Sequence, residues 1–158
     1  MQLIIRRMTK EDIPGVLEVE RASFSEPWSY EIFNATLLLP YAYYYVAEAV
    51  FGEGEGNRSV IAGQCGVRDV LGEGEITNVS VLPAFRGQGI SRKMLGRLFE
   101  EAGERGTGTF TLEVRAGNTP AIRLYESFGF KTEGIRRAFY RDPVEDALIM
   151  WKREELND

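Results

Sequence analysis

The chain has 158 residues, of which 44% are apolar and 27% are charged, and this composition predicts a single globular domain over 1–158. It contains no histidine and one cysteine, Cys65, which excludes Ser-His-Asp and Cys-His triads, histidine-ligated metal sites and an internal disulfide. We therefore expect no metal and a buried strand position for Cys65, and the net charge of −5 argues against a nucleic-acid partner.

The hydrophobic pattern predicts eleven elements in the order βααβββαβαββ. In chain order they are a strand at 3–7, helices at 10–24 and 29–40, strands at 42–51, 59–67 and 75–81, a helix at 90–102, a strand at 110–114, a helix at 119–128, and strands from 130 and at 147–151. Thr9 and Ser29 are the expected caps of the first two helices. This order predicts an α/β (α+β) fold, with a mixed sheet and helices on both faces.

No apolar stretch approaches the roughly 20 residues that a membrane helix needs. The N-terminal residues lack the basic start and the small-residue cleavage site of a signal peptide. We therefore expect a cytoplasmic protein with no membrane partner.

A glycine-rich turn joins the fourth strand to the third helix. Gly87 and Gly89 are separated by one residue, and this spacing lets backbone N–H groups approach a ligand closely. The amides that open the next helix favour a phosphate, and Arg86, Arg92 and Lys93 add positive charge nearby. The turn is neither a Walker loop nor a dinucleotide fingerprint. Taken alone, it is either a phosphate site or simply the start of a helix.

The segment 86–91, Arg-Gly-Gln-Gly-Ile-Ser, resembles the Arg/Gln-x-x-Gly-x-Gly/Ala signature of the GNAT acetyltransferase superfamily. The resemblance implies acetyl-coenzyme A as cosubstrate and a mostly antiparallel central sheet. It also implies that the turn holds the pyrophosphate and that the preceding strand pairs with the pantetheine. The cofactor-binding residues expected on these grounds are Val79, Ser80, Val81, Arg86, Gly87, Gln88, Gly89, Ile90, Ser91 and Arg92, and the block described next adds Asn118. Ser91 stands where glycine or alanine is usual.

A second block, 112–130, resembles the bacterial ribosomal-protein-alanine N-acetyltransferases, the RimI type, of this superfamily. Pro-Trp-Ser at 27–29 and a C-terminal segment in which Phe139 replaces the commoner tyrosine extend the resemblance. It implies Glu113 as the catalytic base and Tyr125 as the catalytic acid. The partner that it implies is a protein N-terminus, that of a small-subunit ribosomal protein beginning with alanine.

The chemistry of acetyl transfer is compatible with these two residues. An α-amine, with a pKa of about 7.7–8.0, loses its proton near neutrality at a cost of about 1 kcal/mol, whereas a lysine amine needs several. Glu113, alone or through a water, can therefore serve as base for an N-terminus. Tyr125, with a reference pKa of about 10, stays protonated and can donate to a thiolate. The N–H of Val81 can stabilise the oxyanion.

The acceptor side is expected to use aromatic and acidic side chains, because aromatic rings supply rigid contact area and carboxylates favour a cationic substrate. The substrate-binding residues expected are Trp28, Tyr140, Glu145 and Asp146. Arg136 and Arg137 can face the cofactor or solvent. The glycine-rich loop at 52–57 is either the tip of a hairpin or a flank of the acceptor entrance.

Structural interpretations compete with each assignment. Glu113 can be an exposed strand residue, Tyr125 a core residue and Asn118 a helix cap. Glu145 and Asp146 can belong to a solvated turn. The alternative functions are acetylation of a small amine or a lysine side chain, and non-catalytic binding of acyl-coenzyme A. Acetylation of a charged transfer RNA is disfavoured by the acidic balance.

Overall fold

The computed structural model describes residues 1–153 apart from the side chain of Glu55, so 154–158 of the expected domain lie outside the described residues. Their element order confirms the predicted one. The strands are β1 (Gln2–Arg7), β2 (Ala42–Phe51), β3 (Arg58–Val70), β4 (Glu73–Val81), β5 (Thr109–Arg115), β6 (Lys131–Tyr140) and β7 (Glu145–Arg153). The helices are α1 (Ile13–Ser23), α2 (Tyr30–Leu37), α3 (Ile90–Glu104) and α4 (Thr119–Ser127). Among these described helices, none is both long enough and apolar enough to cross a bilayer.

The first helix begins later than the pattern predicts. Lys10–Asp12 form a 3₁₀ turn ahead of α1. The carboxylate of Asp12 accepts the Thr9 backbone N–H at 2.8 Å and pairs with Arg6 at 2.8 Å, and these bonds hold the tight turn. Pro14, which has no N–H to leave unpaired, lies in the first turn of α1.

The strands lie in the order β1-β2-β3-β4-β5-β7-β6, and only the β4–β5 pair is parallel. The mixed, mostly antiparallel sheet is therefore confirmed. The loop at 52–57 joins β2 to β3 as a hairpin tip, with Phe51 paired to Arg58. β6 is an edge strand bonded to β7, and most of its residues are exposed, so it carries little of the apolar alternation that marks a strand.

The alternation of β2 shows how helices cover both faces of the sheet. Tyr43 and Tyr45 pack in the core that α3 covers, whereas Tyr44 packs with α1 and α2. Successive side chains of a strand point to opposite faces, so β2 contributes side chains to the hydrophobic cores on both faces of the sheet. Gly66 of β3 makes room for Tyr44, because a Cβ there would lie 2.1 Å from the ring. Cys65 is fully buried, as expected.

The parallel strands β4 and β5 separate soon after they begin. Their pairing covers 73–75 of β4 and 109–111 of β5. Thr77 is an extra residue in β4, because the residues on either side of it pair with the consecutive β3 residues Gly66 and Val67. A bulge of this kind increases the local twist and bends the strand. The sheet consequently opens into a cleft between β4 and β5.

Candidate active site

A cleft of about 1010 Å³ lies where β4 leaves β5. The connection between α1 and α2, the strands β4 and β5, the helix α4 and the end of β6 form its walls. The site residues expected from the sequence that line it are Trp28, Val79, Glu113, Asn118, Tyr125 and Tyr140. The fold thus brings the expected base, the expected acid and two aromatic residues into one cavity.

Glu113 points into the cleft because of its place in β5. Its neighbours Leu112 and Val114 face the other side of the sheet, where they are buried in the core that α3 covers. Its Oε1 lies 3.3 Å from Nε of Arg136, whose side chain is 57% exposed. An exposed ion pair of this kind contributes roughly 0–1 kcal/mol, so the carboxylate can exchange this partner for another.

Tyr125 is both a core residue and a cleft residue. It is 7% exposed, and its ring centre lies 5.9 Å from that of Phe130. Burial raises the pKa of Tyr125 well above its ordinary value, and Cys65 and Tyr140 add to this shift. The hydroxyl therefore keeps its proton throughout the neutral range. The N-cap of its helix is Asn118, whose side chain accepts a backbone N–H, so the cap is confirmed.

Tyr140 lies at the end of β6 between two opposite charges. The guanidinium carbon of Arg115 is 4.4 Å from the centre of its ring. Burial, followed by the negative charge of Glu113, raises the pKa of Tyr140 to about 12, although Arg115 opposes the shift. Tyr140 is therefore a second neutral phenol at this site, on the wall that β6 provides.

The glycine-rich turn lies beyond the carboxyl end of β4, outside the residues that line the cleft. Gly87 and Gly89 have φ values of 79° and 76°, and Gly89 is the N-cap of α3. A residue with a Cβ pays roughly 1–2 kcal/mol in this left-handed conformation, so the turn requires glycine. Among the described residues, none accepts a hydrogen bond from the backbone N–H groups of 87–91. These amides fit a phosphate group.

Arg86 and Arg92 fasten the turn to its surroundings. Arg86 Nε donates to the Val81 carbonyl at 3.0 Å, and Arg92 donates to Ser127 Oγ of α4 at 2.9 Å. The side chain of Ile90 is 3% exposed in the core, so only its backbone is available to a ligand.

Among the strands that the structure describes, none pairs with the last part of β4 along the edge that faces the cleft. The N–H of Leu82 donates to the Ala62 carbonyl of β3 at 2.8 Å. Because successive N–H groups of an extended strand point to opposite edges, those of Val81 and Val79 point away from β3. The side chain of Ser80 lies towards β3, where its Oγ accepts a hydrogen bond from Gln64 Nε2 at 3.0 Å. A ligand that carries amide groups can pair with this edge as a further strand would.

Glu145 and Asp146, expected to contact the substrate, are bonded within the chain and do not line the cleft. Glu145 accepts the Gly117 N–H at 2.6 Å and pairs with Arg115 at 3.3 Å. Asp146 accepts the Ala138 N–H at 2.8 Å. The Glu145 carboxylate holds the β6–β7 turn against the end of β5, and the Asp146 carboxylate ties the start of β7 to β6. Direct contact of either residue with a substrate stays a prediction.

The sequence matches the Acetyltransferase (GNAT) family over residues 13–130, which is well over half of the chain. The chain belongs to this family. It is therefore an acetyl-coenzyme A-dependent N-acetyltransferase, and the free amides at 87–91 and the open edge of β4 fit the phosphates and amides of that cosubstrate.

Relatives of this GNAT protein share nearly its whole length. A Bacillus subtilis (strain 168) protein provisionally named a ribosomal protein bS18-alanine N-acetyltransferase is 40% identical over 148 residues, which cover 93% of each chain. The N-alpha-acetyltransferase RimI of Mycobacterium tuberculosis is 34% identical over 152 residues, covering 92% of this chain and 89% of that one. The crystal structure of the ribosomal-protein-S18-alanine N-acetyltransferase from Escherichia coli superposes with a TM-score of 0.83 at 31% identity, covering 99% and 97% of the two chains.

Sequence reasoning misses one buried carboxylate of this GNAT site. Glu20 is 1% exposed and lines the cleft. It accepts hydrogen bonds from Gln64 Nε2 at 2.9 Å, Asn78 Nδ2 at 3.0 Å and the Trp28 N–H at 3.2 Å. The available signal is its position on the apolar stripe of α1, four residues after Val16, where a carboxylate is unusual.

Sequence reasoning also misses the bulge at Thr77. Ile76, Val79 and Val81 all pack in the core that α3 covers, although an unbroken strand would turn Ile76 and Val79 to opposite faces. A one-residue shift in the apolar alternation of β4 was therefore the signal of the bulge.

Proposed function

We propose that this protein acetylates the N-terminal α-amine of a protein, and that its acceptor is the N-terminal alanine of a small-subunit ribosomal protein. Relatives that bear this activity in their names align with more than nine-tenths of the chain, which supports the acceptor class. The same acceptor follows from the resemblance of the block 112–130.

The observation that carries the proposal is the shared cleft of Glu113 and Tyr125. One is a carboxylate whose ion pair with Arg136 is exposed, and the other is a phenol that burial keeps neutral. A carboxylate can accept a proton and a neutral phenol can donate one, which are the two transfers that acetylation of an amine requires.

The reaction balances without a covalent enzyme intermediate. The amine nitrogen forms a bond to the thioester carbonyl carbon, and the bond from that carbon to sulfur breaks. Glu113, directly or through a water, takes the proton that the nitrogen loses, and Tyr125 gives its proton to the departing sulfur. Exchange with solvent then restores both side chains.

The cosubstrate is proposed to lie along β4 and against the start of α3. Its pyrophosphate would accept hydrogen bonds from the amides of 87–91, with Arg86 and Arg92 nearby. Its pantetheine amides would pair with the free edge at Val79 and Val81, and Asn118 would approach it from α4.

The acceptor is proposed to lie between the α1–α2 connection and the β6–β7 turn. These two segments touch, because Ser25 Oγ donates to the Arg141 carbonyl at 3.3 Å. Arg115 joins both of them, at 3.4 Å from Ser25 Oγ and 3.1 Å from the same carbonyl. Trp28 and Tyr140 then provide rigid aromatic walls on the two sides of the acceptor terminus.

An α-amine suits this site better than a lysine amine. Removing the proton from an α-amine near neutrality costs about 1 kcal/mol, whereas a lysine amine costs several. The described site supplies Glu113, paired with Arg136, to accept that proton, and such a base is adequate for the α-ammonium, which is the stronger acid of the two.

The test is a product analysis with matched acceptors. The purified protein and acetyl-coenzyme A are mixed with a bS18 N-terminal peptide, with the same peptide blocked at its α-amine and carrying a lysine, and with a polyamine. We expect one acetyl group on the alanine of the first peptide, located by tandem mass spectrometry. Faster acetylation of the lysine or the polyamine would overturn the acceptor assignment. Binding of coenzyme A without turnover of any acceptor would overturn the catalytic one.

A further inference from the structure

Glu20 joins three parts of the fold at the wall of the cleft. Its Oε1 accepts the Trp28 backbone N–H at 3.2 Å and Asn78 Nδ2 at 3.0 Å, and its Oε2 accepts Gln64 Nε2 at 2.9 Å. Trp28 lies in the α1–α2 connection, Asn78 in β4 and Gln64 in β3. One buried carboxylate therefore ties the connection to the two strands beneath it.

The backbone of Trp28 is held by Glu20, and its ring is held by other aromatic rings. The ring centre of Trp28 lies 5.1 Å from that of Phe33 and 6.2 Å from that of Tyr44. Loss of the bond to Glu20 would release the backbone while these ring contacts remain. Trp28 would then shift relative to the cleft without the core coming apart.

Asn78 is oriented by the same carboxylate. Its amide nitrogen faces Glu20, which leaves its Oδ1 buried without a hydrogen-bond donor among the described residues. Turning the amide over would place that oxygen against the carboxylate, so Glu20 fixes its orientation. Asn78 lines the cleft and directly follows the bulge at Thr77, so this bond also holds β4 where it bends away from β5.

The hydrogen-bonded cluster of Glu20, Trp28, Gln64 and Asn78 contains buried polar atoms that destabilise the fold, so a contribution to stability does not explain it. Gln64 Oε1, like Asn78 Oδ1, is buried without a donor among the described residues, and each such atom costs about 1–3 kcal/mol. Among the same residues, Glu20 has no cationic partner within ion-pair distance. Apolar packing in place of a buried charge is often neutral or stabilising. Violations of this kind are expected at functional sites.

We propose that Glu20 is a positioning residue for acetyl transfer, which holds Trp28 on the acceptor wall and β4 on the cosubstrate wall at a fixed spacing across the cleft. The proposal rests on the proposed function, since an acceptor terminus beside Trp28 must reach the thioester of a cosubstrate that lies along β4. The length of the side chain and a hydrogen bond at each of its two terminal atoms set the spacing, and its charge does not.

Three substitutions separate length from charge. Glu20→Gln keeps the length and removes the charge, Glu20→Asp keeps the charge and shortens the side chain, and Glu20→Ala removes both. In Glu20→Gln, the oxygen can still bond Trp28 and Asn78, and the new NH₂ can donate to Gln64 Oε1 once that amide turns over. The matched control is Glu18→Ala, an exposed position on the same helix.

The kinetic readout is the KM for the bS18 peptide, with kcat and the Kd for coenzyme A measured beside it. Displacement of a positioned wall by about 1 Å can cost up to about a hundredfold in rate, so we expect Glu20→Asp and Glu20→Ala to raise the peptide KM about tenfold or more. The Kd for coenzyme A should stay within about twofold, and Glu20→Gln and Glu18→Ala should resemble the wild type.

A second readout needs no turnover. In a Trp151→Phe background, Trp28 is the remaining tryptophan, and its fluorescence quenching by acrylamide reports how firmly the connection is held. Quenching should increase in the Glu20→Asp and Glu20→Ala forms and not in the Glu20→Gln form. The quenching measurement tests whether Glu20 holds Trp28 even if the wild type acetylates no peptide. Absence of acetylation would contradict the proposed function and would leave the quenching result intact.

Two results would overturn the positioning role. Loss of kcat in Glu20→Gln with activity kept in Glu20→Asp would make Glu20 a charge or a base. Wild-type peptide KM and wild-type quenching in all the folded variants would leave it a structural residue only.

Discussion

A tyrosine that gives up a proton from within a core has a mismatch of acidity to overcome. Burial raises the pKa of Tyr125, whereas a thiol in water titrates at about 8.5, so transfer to a solvated thiolate would be unfavourable. A sulfur that leaves inside the same buried pocket is also desolvated, which raises its own pKa. If Tyr125 is the acid, as proposed, the burial that raises its pKa would therefore also make the departing sulfur a better proton acceptor.

Replacing Tyr125 with Phe tests this acid at the level of one oxygen atom. The ring and its contact with Phe130 remain, so the fold and the Kd for coenzyme A should change little. Loss of general acid catalysis should lower kcat by about 10²-fold or more. The measurement is steady-state release of the coenzyme A thiol, with the Kd taken from calorimetry.

The matched control removes a hydroxyl that lies outside the cleft. Tyr41 is 43% exposed, and Tyr41→Phe should retain the wild-type kcat. If Tyr125→Phe and Tyr41→Phe turn over the peptide equally fast, Tyr125 is a core residue and another group protonates the sulfur.

The start of α3 is the element on which binding of the cosubstrate is proposed to depend. Its amides are aligned only because Gly87 and Gly89 adopt positive φ, and within the described part of the chain no atom beyond the adjacent residues lies within 4 Å of a Cβ added at either position. Among residues 1–153, the need for glycine at this turn is therefore conformational and not steric.

Gly89→Ala should weaken binding of coenzyme A. Alanine in the left-handed conformation costs roughly 1–2 kcal/mol, which the chain can relieve by turning the amides away from the phosphates. We expect the Kd for coenzyme A, measured by calorimetry, to rise about tenfold.

Gly96→Ala provides the control on the same helix. Gly96 lies inside α3, and there is open space for an alanine side chain there, since no described residue outside the helix's own backbone lies within 4 Å of an added Cβ. Alanine should therefore leave the Kd unchanged and add up to about 1 kcal/mol of stability. Equal Kd values for Gly89→Ala and the wild type would show that the amides at this turn do not bind the cosubstrate.

At the scale of the whole molecule, burial of Glu20 links folding to pH. Burial raises the pKa of Glu20 from 4.5 to about 6, while the bonds from Trp28 and Asn78 oppose the shift. The folded protein therefore binds more protons than the unfolded chain in this interval. The contribution of Glu20 to stability is full below pH 4.5 and is lost as the pH rises through about 6.

Glu20→Gln removes the dependence of stability on the protonation of Glu20, so the variant should become more stable relative to the wild type as the pH rises. The free energy of unfolding of Glu20→Gln minus that of the wild type should increase by about 2 kcal/mol between pH 4 and 7. Urea unfolding at half-unit pH steps measures the difference. Carboxylates with the opposite shift, such as Asp12 and Glu101, are common to both proteins and cancel. Parallel pH profiles would contradict the assignment.

The sequence alone determined which elements form and which segments are candidates for the functional site. Apolar periodicity and caps predicted the element order, and local motifs singled out the turn at 86–91 and the pair Glu113 and Tyr125. These features depend on neighbours a few residues apart, which a linear pattern records. Two elements depart from the apolar pattern. Most residues of the edge strand β6 are exposed, so the strand lacks apolar alternation. The 3₁₀ turn at Lys10–Asp12 is held by the ion pair between Arg6 and Asp12.

Only the tertiary structure decided which of these residues share a cavity. The separation of β4 from β5, together with the bulge at Thr77, opens the cleft. At a neighbouring turn, the carboxylates of Glu145 and Asp146 accept hydrogen bonds from backbone amides of the chain itself. The tertiary structure also places Glu20 against Gln64 and Asn78, which lie 44 and 58 positions further along the chain. Contacts at such separations arise from how strands pair and how a helix packs on them, and no local pattern contains that pairing.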